Sequence, residues 1–301
     1  MAVAVCGSIA IDTIENRYGK VENLLGGSAS YFSLASAFFT KTYIFSCIGK
    51  DLEERLFNLL KKNENIVTKY IKVSDKFSNF RWHGRYSYDF ERVETVEAEY
   101  KILSEDVLAQ KIEDKFDIIF LANTDPVIQS RMADFFRDSR LIFCDTMNHW
   151  IATKRKELES LLTKVYGIFV NEEEAKLLSG EATSLEAANK IRDKGPKIVI
   201  IKKGEDGSLI NYQGKIVMYS GYPVRKLMDT TGAGDSFAGA FLGYLAKSKE
   251  NLSIELVKKA AIWGNVVASF TCEGMGPTKL LSIKKEDIDK RFQEYLEQLR
   301  I

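Results

Sequence analysis

The sequence predicts an α/β fold in which a central, mostly parallel sheet is flanked by helices. Short apolar runs of strand length alternate with amphipathic segments of helix length, which is the pattern of βαβ units. A different pattern, with strict period two, appears over residues 80–90 and predicts a second, smaller sheet. The 301 residues suffice for one α/β domain with a sizeable core. We therefore expect residues 1–301 to form a single domain that carries a small β-sheet.

Six apolar runs are predicted to form core strands: Val3–Cys6, Tyr43–Ile48, Asp117–Ala122, Leu141–Cys144, Gly167–Val170 and Lys197–Ile201. Nine segments are predicted to be helices: Ser28–Phe39, Leu52–Lys62, Pro126–Arg137, Thr153–Leu162, Glu172–Ser179, Leu185–Asp193, Ser236–Lys247, Ile254–Thr271 and Lys285–Gln298. Two further runs, Ser208–Tyr212 and Lys215–Tyr219, are typical of a β-hairpin or meander. No internal repeat or low-complexity linker divides the chain.

Composition and charge exclude several classes of protein. Lysine and arginine number 43 against 42 acidic residues, so nothing indicates a nucleic-acid or membrane-surface partner. The four cysteines are widely spaced and mostly flanked by apolar residues, which is typical of reduced, mostly buried thiols in a cytosolic protein. No run of about 18 uncharged apolar residues occurs and no signal sequence is evident, so we expect a cytoplasmic protein without a membrane span.

Aromatic residues alternate along the segment from Phe80 to Phe90. They occupy positions 80, 82, 86, 88 and 90, and Gly84 completes the series. This alternation predicts a half-buried β-strand with one aromatic face, and a polar and aromatic stretch over Ile11–Leu25 is its candidate partner. Two interpretations stay open: an antiparallel extension packed on the core, or a lid over a ligand site formed by about residues 11–25 and 78–100. Because a large aromatic face needs covering, the lid is also a candidate homodimer surface.

The run Asp229–Phe241, DTTGAGDSFAGAF, combines two glycines with an acid where a loop becomes a helix. Helical periodicity starts at Ser236, so Gly232, Ala233 and Gly234 lie at the helix start, where backbone N–H groups are free to bind an anion. Asp235 follows at once, suited to taking a proton from a hydroxyl that attacks a phosphate. This hypothesis predicts a small-molecule kinase, and the alternative is an ordinary helix start.

Polar side chains follow the predicted core strands. Asn123, Asp145, Asn171 and Lys202 each come at or just after the end of a strand. In open α/β sheets ligands bind at the carboxyl ends of the strands, so we expect these side chains to converge on one site. The alternative for each residue by itself is a helix cap or a solvated turn.

The run Asp229–Phe241 resembles the C-terminal signature of the ribokinase-like (PfkB) sugar and nucleoside kinases, and matching motifs extend from Asp12 to Gly274. The resemblance implies a ribokinase-like fold with a β-sheet lid, and transfer of the γ-phosphoryl group of ATP to a hydroxyl of a small sugar or sugar-like polyol. A nucleoside acceptor is the alternative. Asp235 would be the base, and the amides of Gly232, Ala233 and Gly234 would form the anion hole. ATP and Mg²⁺ are the implied cofactors, with K⁺ as a further candidate.

The resemblance also implies roles on the nucleotide side. Asn171 and Glu174 match the NxxE motif that helps to position magnesium and the phosphates, although Asn-x-x-Glu is equally a helix capping box. Lys202 and Gly204 occupy the strand–loop before the ATP site, where lysine departs from ribokinase; a solvated surface lysine is the alternative. Asn265 is a candidate for the adenine pocket, and a local structural hydrogen bond is its alternative.

The remaining implied residues concern a cation and the acceptor. The resemblance makes the Gly274 region a candidate for the adenine pocket and a monovalent-cation site, with Asp229 and Thr231 as further oxygen ligands of the cation. For the substrate the implied residues are Asp12, Gly26, Gly27 and Asn123. Tyr31 stands four residues after the second glycine, where the family often has asparagine, and this departure counts against ribose or a simple hexose.

Other functions are weaker alternatives. Gly234, Asp235 and Ser236 spell the GDS triplet of some serine esterases, but both histidines precede Ser236 and no suitable base is evident. A binding protein that has lost catalysis is a third hypothesis. No Walker A run occurs, which counts against a P-loop site. Among acceptors, nucleosides need aromatic stacking and sugar acids need a cation. The sequence does not decide between them, because the lid register sets which of these residues face inward: Trp82, Tyr86, Tyr88, Arg81 and Arg85.

Overall fold

The computed structural model describes residues 2–90, 92–99, 107–108, 111–248 and 250–299. Its strands are β1 Val3–Cys6, β2 Ala10–Asn16, β3 Gly19–Gly26, β4 Thr42–Gly49, β5 Ile66–Val67, β6 Ile71–Ser74, β7 Phe80–Tyr86, β8 Val93–Glu99, β9 Ile118–Leu121, β10 Leu141–Asp145, β11 Gly167–Asn171, β12 Ile198–Lys202, β13 Ser208–Tyr212 and β14 Lys215–Tyr219. Its helices are α1 Ser28–Ser36, α2 Glu54–Lys61, α3 Pro126–Phe135, α4 Asn148–Thr153, α5 Arg155–Leu162, α6 Glu172–Ser179, α7 Ser184–Arg192, α8 Ala233–Ser248, α9 Ile254–Thr271, α10 Thr278–Ser282 and α11 Lys285–Leu299.

A large sheet forms the centre of the fold. Its strand order is β14-β13-β12-β11-β10-β9-β1-β4-β5, and β6 pairs with β4 off this path. The central pairs from β12 through β4 are parallel, whereas β12–β13 and β13–β14 are antiparallel. The predicted mostly parallel α/β fold is therefore confirmed, and so is the predicted hairpin. Four neighbouring strands, β9 to β12, end at the same edge of this sheet.

Helices cover both faces of the large sheet. Successive residues of a strand point to opposite sides, so each strand contributes side chains to the helices on both faces. Val3 and Val5 of β1 belong to one core cluster, which contains residues of α1, α8 and α9. Ala4 and Cys6 belong to a second cluster, which contains residues of α3, α5, α6 and α7. Apolar burial on both faces explains why the core strands read as continuous hydrophobic runs rather than alternating ones.

A second sheet has the strand order β3-β2-β7-β8, and β2 pairs in parallel with β7. Its strands fall within residues 10–26 and 80–99. Residues 91 and 100 of the predicted lid lie outside the described residues, as do residues 1, 300 and 301 of the predicted domain. The predicted strand over Phe80–Phe90 is shorter than expected. It ends at Tyr86, because the Ser87 amide hydrogen-bonds to the Arg92 carbonyl and Phe90 has a φ of 63°. Tyr88 therefore lies in a turn, 77% exposed.

Helix α8 begins three residues earlier than predicted, at Ala233. The prediction relied on apolar periodicity, and the first turn, Ala-Gly-Asp, has none. The glycines inside α8 allow close packing on α1: a Cβ on Gly239 would overlap the Phe32 carbonyl oxygen, and one on Gly243 would lie 2.9 Å from the Ser36 hydroxyl. Tight helix packing therefore accounts for both glycines.

Two predictions from composition have a structural outcome. The four cysteines carry no disulfide, and three of them are buried, as expected. Within the part of the chain that the structure describes, no helix combines the length and hydrophobicity that a bilayer crossing requires.

Candidate active site

A cavity of about 320 Å³ lies between the carboxyl edge of the large sheet and the second sheet. The large sheet and the helices that follow its strands contribute Asn123, Asp145, Trp150, Glu174, Lys202 and Asp235. The second sheet contributes Asp12, Phe80, Trp82 and Tyr86. The aromatic face of β7 is thus turned toward the cavity. Covering of this face does not require a partner, and dimerisation through the lid stays a prediction.

Three of the four predicted strand-end residues meet in this cavity: Asn123, Asp145 and Lys202. The buried Gln129 of α3 ties two of the strand ends together. Its side-chain amide donates to the carbonyls of Leu121 and Ala122, at the end of β9, and to that of Asp145, at the end of β10, at 2.8–3.1 Å. Sequence reasoning missed Gln129, and its signal would have been a polar residue on an apolar helix face.

Lys202 is not a surface lysine. Its side chain is 17% exposed, and Nζ lies 3.3 Å from Oδ2 of the buried Asp145. Burial acts to lower the pKa of Lys202, but the charges of Asp145 and Glu174 outweigh it, so the pKa is raised and the ammonium is retained. The surface interpretation of Lys202 was therefore wrong, and a positive charge stands among the cavity carboxylates.

Two carboxyl groups near Lys202 have strongly raised pKa values. Desolvation by burial raises the pKa of Asp235 to about 7, the charge of Asp145 adds to the increase, and Lys202 opposes it. Burial and Asp145 likewise raise the pKa of Glu174 to about 7. Carboxyl groups poised near neutral pH are typical of functional sites.

The loop before α8 has the bare backbone that the sequence predicts. Gly232 has a φ of 74°, and a Cβ there would overlap the Tyr31 ring. A Cβ on Gly234 would lie 2.9 Å from Nζ of Lys202, so the backbone of the first helical turn faces that ammonium closely. The Ala233 amide donates to the Thr230 carbonyl at 3.2 Å. Of the three predicted anion-binding amides, that of Ala233 is therefore already engaged in the loop.

Asp229, a predicted cation ligand, holds this loop in place. One carboxylate oxygen accepts hydrogen bonds from the Thr231 amide and hydroxyl, at 2.9 and 2.7 Å, and the other accepts from the Gly276 amide at 2.8 Å. Thr231 Oγ1 also lies 2.8 Å from the Tyr86 hydroxyl of the second sheet. Among the described residues no cluster of three acidic, histidine or cysteine side chains has the arrangement of a metal site, so the monovalent cation stays a prediction.

Asp12 and the Gly26–Gly27 pair form one unit on the opposite side of the cavity. A Cβ on Gly26 would overlap the Asp12 carboxylate, and Gly27 has a φ of 90° with Ser8 O only 2.5 Å from an added Cβ. Burial, with Asp229 and Asp235 nearby, raises the pKa of Asp12 to about 8. Asp12 and Gly27 line the cavity, and Gly26 makes room for the carboxylate.

The remaining predicted residues, Asn171, Gly204, Asn265 and Gly274, lie outside the cavity wall. Asn171 and Glu174 form a reciprocal capping box with two hydrogen bonds of 2.7 Å, which places Glu174 at the wall while Asn171 caps α6. Gly204, with a φ of 59°, follows Lys202 in a short 3₁₀ turn. The Asn265 amide donates to Ser220 O and to the Tyr295 hydroxyl, and Gly274 packs on Thr278 and Lys279. The Asn265 amide thus makes structural hydrogen bonds, although to residues distant in the sequence rather than local ones, and the adenine-pocket role of Asn265 and Gly274 stays a prediction.

Two hydroxyl groups at the wall were not predicted as site residues. Tyr31 is 1% exposed, Thr146 is 4% exposed, and neither hydroxyl has a hydrogen-bond partner in the described structure. Buried polar groups usually have partners, so these two are candidates to bind a ligand. Tyr31 carried a signal as the departure from the family pattern, whereas Thr146 had none beyond following Asp145.

Solved structures of two kinases share this fold. Aminoimidazole riboside kinase from Salmonella enterica, complexed with aminoimidazole riboside and an ATP analogue, has a TM-score of 0.81 at 16% identity, over 97% of this chain and 100% of that chain. A fructokinase double mutant from Vibrio cholerae, with fructose, ADP and potassium bound, has a TM-score of 0.79 at 17% identity, over 98% of each chain. At such identities the likeness shows the ribokinase-like fold alone.

Sequence comparison adds the family. A cytidine kinase from Thermococcus kodakarensis is 36% identical over 94 residues, 30% of this chain and 34% of that protein. For three of the curated relatives, the aligned segments span 34, 41 and 42% of the relative's length. The family model for pfkB family carbohydrate kinases matches residues 103–284, more than half of this chain. The chain therefore belongs to the pfkB family of carbohydrate kinases.

Proposed function

We propose that this protein transfers the γ-phosphoryl group of ATP to a hydroxyl of a small sugar or nucleoside. The observation that carries the proposal is the meeting of Asp235, Lys202 and the glycine backbone before α8 in one cavity, opposite Asp12. The kinases named above act on sugars and on nucleosides, and one was solved with an ATP analogue. Phosphoryl transfer depends mainly on positioning and charge stabilisation, which this arrangement supports.

Asp235 is the proposed general base. A base works best when its pKa lies near the working pH, and the pKa of about 7 meets that condition. Its carboxylate would accept the proton of the attacking hydroxyl, which Asp12 would help to hold. Because Asp235 lies in the first turn of α8, the receiving carboxylate and the loop amides are parts of one rigid element.

Lys202 and the loop amides would stabilise the phosphoryl oxygens. The ammonium lies beside the backbone of Gly234, so a phosphoryl group there would meet both a positive charge and amide donors. The Gly232 and Gly234 amides are available for this role, while the Ala233 amide would have to leave the Thr230 carbonyl. Donors that are already free, such as the Gly232 and Gly234 amides, lower the barrier because they need no rearrangement during the reaction.

The donor set also fits Mg²⁺. Asp145 and Glu174 present carboxylate oxygens, which hard cations prefer, and the absence of a three-residue metal cluster among the described residues fits an ion held mainly by phosphates and water. When bound with the nucleotide, Mg²⁺ would neutralise part of the phosphate charge. Glu174 would steer it indirectly. K⁺ at Asp229 and Thr231 is a further proposal, since both side chains face the same loop.

The second sheet would act as a lid. Its Tyr86 hydroxyl is hydrogen-bonded to Thr231 in the phosphate loop, so the lid and the loop are in direct contact. Closure over the acceptor would exclude water and suppress hydrolysis of ATP. We propose that residues 11–25 and 78–100 serve this purpose within a single domain.

Acceptor-dependent formation of ADP tests the proposed function. The full chain is incubated with Mg-ATP and a panel of sugars, polyols and nucleosides, and ADP is measured by a coupled assay. We expect at least one acceptor to raise ADP formation well above the rate without acceptor. A protein that binds acceptors without any ADP formation would instead be a binding protein, and turnover of a nitrophenyl ester would favour the esterase alternative.

A further inference from the structure

The cavity wall contains two tryptophans that come from different parts of the fold. Trp82 belongs to β7 of the second sheet, and Trp150 belongs to α4, after strand β10 of the core. The Trp82 ring lies over Gly84, where any side chain would collide with the indole. Because Gly84 has no side chain, the Trp82 indole can lie along the strand.

Both indole N–H groups are engaged by the protein. Trp82 Nε1 donates to Thr95 Oγ1 at 3.2 Å, and Trp150 Nε1 donates to Asn123 Oδ1 at 3.0 Å. Because both N–H groups are used within the protein, the rings at the cavity wall can give a ligand apolar and stacking contact rather than a further hydrogen bond. Indole faces of this kind stack on flat π-systems.

The charges at the wall argue against an acidic acceptor. Four carboxyl groups line the cavity, and among the described lining residues the only cation is Lys202, which is paired with Asp145. The two arginines of β7 alternate with its aromatic residues and do not line the cavity. Arg81 pairs with Asp51 at 3.2 Å, and Arg85 pairs with Glu15 at 3.1 Å.

Some polar groups at the cavity wall are free to bind the acceptor. The Tyr31 and Thr146 hydroxyls are buried without partners, and the Asn123 amide nitrogen contacts only the weak acceptor Met147 Sδ, at 3.2 Å, among the described residues. A monosaccharide has no flat π-system to stack on the indoles. A nucleoside brings ribose hydroxyls for Asp12 and Asp235 together with a flat, hydrogen-bonding base for the rings and these polar groups.

We infer that the acceptor is a nucleoside without an acidic group, bound with its base against the indole faces of Trp82 and Trp150. This inference rests on the proposed function for the identity of the reaction, but the binding of a nucleoside is a separate property. It selects among the acceptors that the sequence left open, because the lid register turns the tryptophan inward and the arginines outward.

Binding and turnover are measured separately. Calorimetry without ATP gives the Kd of the full chain for cytidine, uridine, adenosine, guanosine, ribose, fructose and gluconate, and the coupled assay gives kcat/KM for each. We expect at least one nucleoside to bind about 10²-fold more tightly than ribose, and gluconate not to bind. Stacking free energies of about 1–3 kcal/mol per base correspond to about 5- to 150-fold, so Trp82→Leu and Trp150→Leu should each weaken nucleoside binding by that factor.

Two further variants separate stacking from structure. Trp82→Phe keeps a ring face and should retain most of the affinity that Trp82→Leu loses. Arg81→Gln is the matched control on the same strand, since Arg81 pairs with Asp51, does not line the cavity and leaves both indoles in place, and we expect less than about a threefold change in Kd.

The outcomes distinguish this inference from the proposed function. Tighter binding of ribose, fructose or gluconate than of every nucleoside would overturn the inference, as would nucleoside binding that neither tryptophan variant weakens. Phosphorylation of a sugar without any nucleoside binding would refute the inference and support the kinase proposal. Nucleoside binding that depends on Trp82, without ADP formation, would support the inference and refute the kinase proposal.

Discussion

The two walls of the cavity differ in chemistry. The wall built by the large sheet and its helices carries charges close together: Asp145, Glu174, Lys202 and Asp235. The wall built by the second sheet carries the rings of Phe80, Trp82 and Tyr86, with Asp12 as its acid. We propose that this difference reflects a division of tasks, in which the charged wall performs phosphoryl transfer and the rings of the second sheet, together with Trp150, bind the acceptor.

The walls also differ in how firmly they are held. Strands β9 to β12 are buried on both faces between helices, and Gln129 joins the ends of two of them. The second sheet exposes apolar side chains, among them Val93 at 47%, and it reaches the loop before α8 through the Tyr86–Thr231 hydrogen bond. Transfer chemistry needs fixed geometry, whereas acceptor entry needs a segment that opens at low cost.

Loss of the proposed base should have the largest effect on the charged wall. Asp235→Asn keeps the shape but cannot accept a proton, so we expect kcat to fall by about 10²–10⁴. The measurement is acceptor-dependent ADP formation at saturating substrates. Ser236→Ala is the control, because Ser236 is the next residue of α8 but does not line the cavity, so its loss should matter little to turnover. Near-normal turnover of Asp235→Asn would remove the base from the mechanism.

Loss of the Lys202 charge should have the next largest effect on kcat. Lys202→Met keeps the length of the side chain but removes the charge beside Gly234, and loss of one such donor lowers kcat by about 10²–10³. Lys203→Met is the matched control, since Lys203 pairs with Glu172 at 3.7 Å and does not line the cavity. Equal losses of kcat in both variants would show that the effect is not specific to the cavity.

The rate should depend on pH through the charged wall. Burial raises the pKa of Asp235 to about 7, so its basic form is lost as the pH falls below that value. We expect kcat/KM to fall about tenfold per pH unit below about 7. Lys202 lowers this pKa, so the profile of Lys202→Met should move to higher pH. A flat profile between pH 5.5 and 7.5 would indicate a carboxylate of ordinary pKa.

The contact between the walls should have the smallest effect. Tyr86→Phe and Thr231→Val each remove one partner of the 2.8 Å hydrogen bond, and we expect kcat/KM to fall about two- to tenfold in either variant. The double variant should be no worse than the single ones, as a double-mutant cycle of the assay will show. Fully additive losses would mean that lid and loop act independently.

Sequence alone predicts the elements that repeat a pattern. Strands β9 to β12 are buried on both faces, so continuous apolar runs mark them within about a residue of their observed bounds. Helix α4 has six residues and β5 has two, which is too short for any periodicity. Turn chemistry ended β7 at Tyr86 although the aromatic alternation continued, because local hydrogen bonds decided the backbone there.

The site was predictable where topology brings residues together. Asp145 and Lys202 are the last residues of β10 and β12, two parallel strands separated only by β11, and the carboxyl ends of such strands meet at one edge of the sheet. Tyr31 lines the cavity, and Gln129 reaches the strand ends beside it, only through the packing of α1 and α3, which the sequence pattern by itself does not give. Asn265 was expected near the nucleotide, but its amide is directed to Ser220 and Tyr295 by the packing of α9 and α11.

The division of tasks between the walls is tested most directly by calorimetric titration of Asp235→Asn with the acceptor that the wild-type protein phosphorylates. The account predicts a Kd within about threefold of the wild-type value in a variant whose kcat has fallen at least about a hundredfold. A Kd weakened in proportion to the loss of turnover would show that Asp235 holds the acceptor rather than activates it, and would contradict the account.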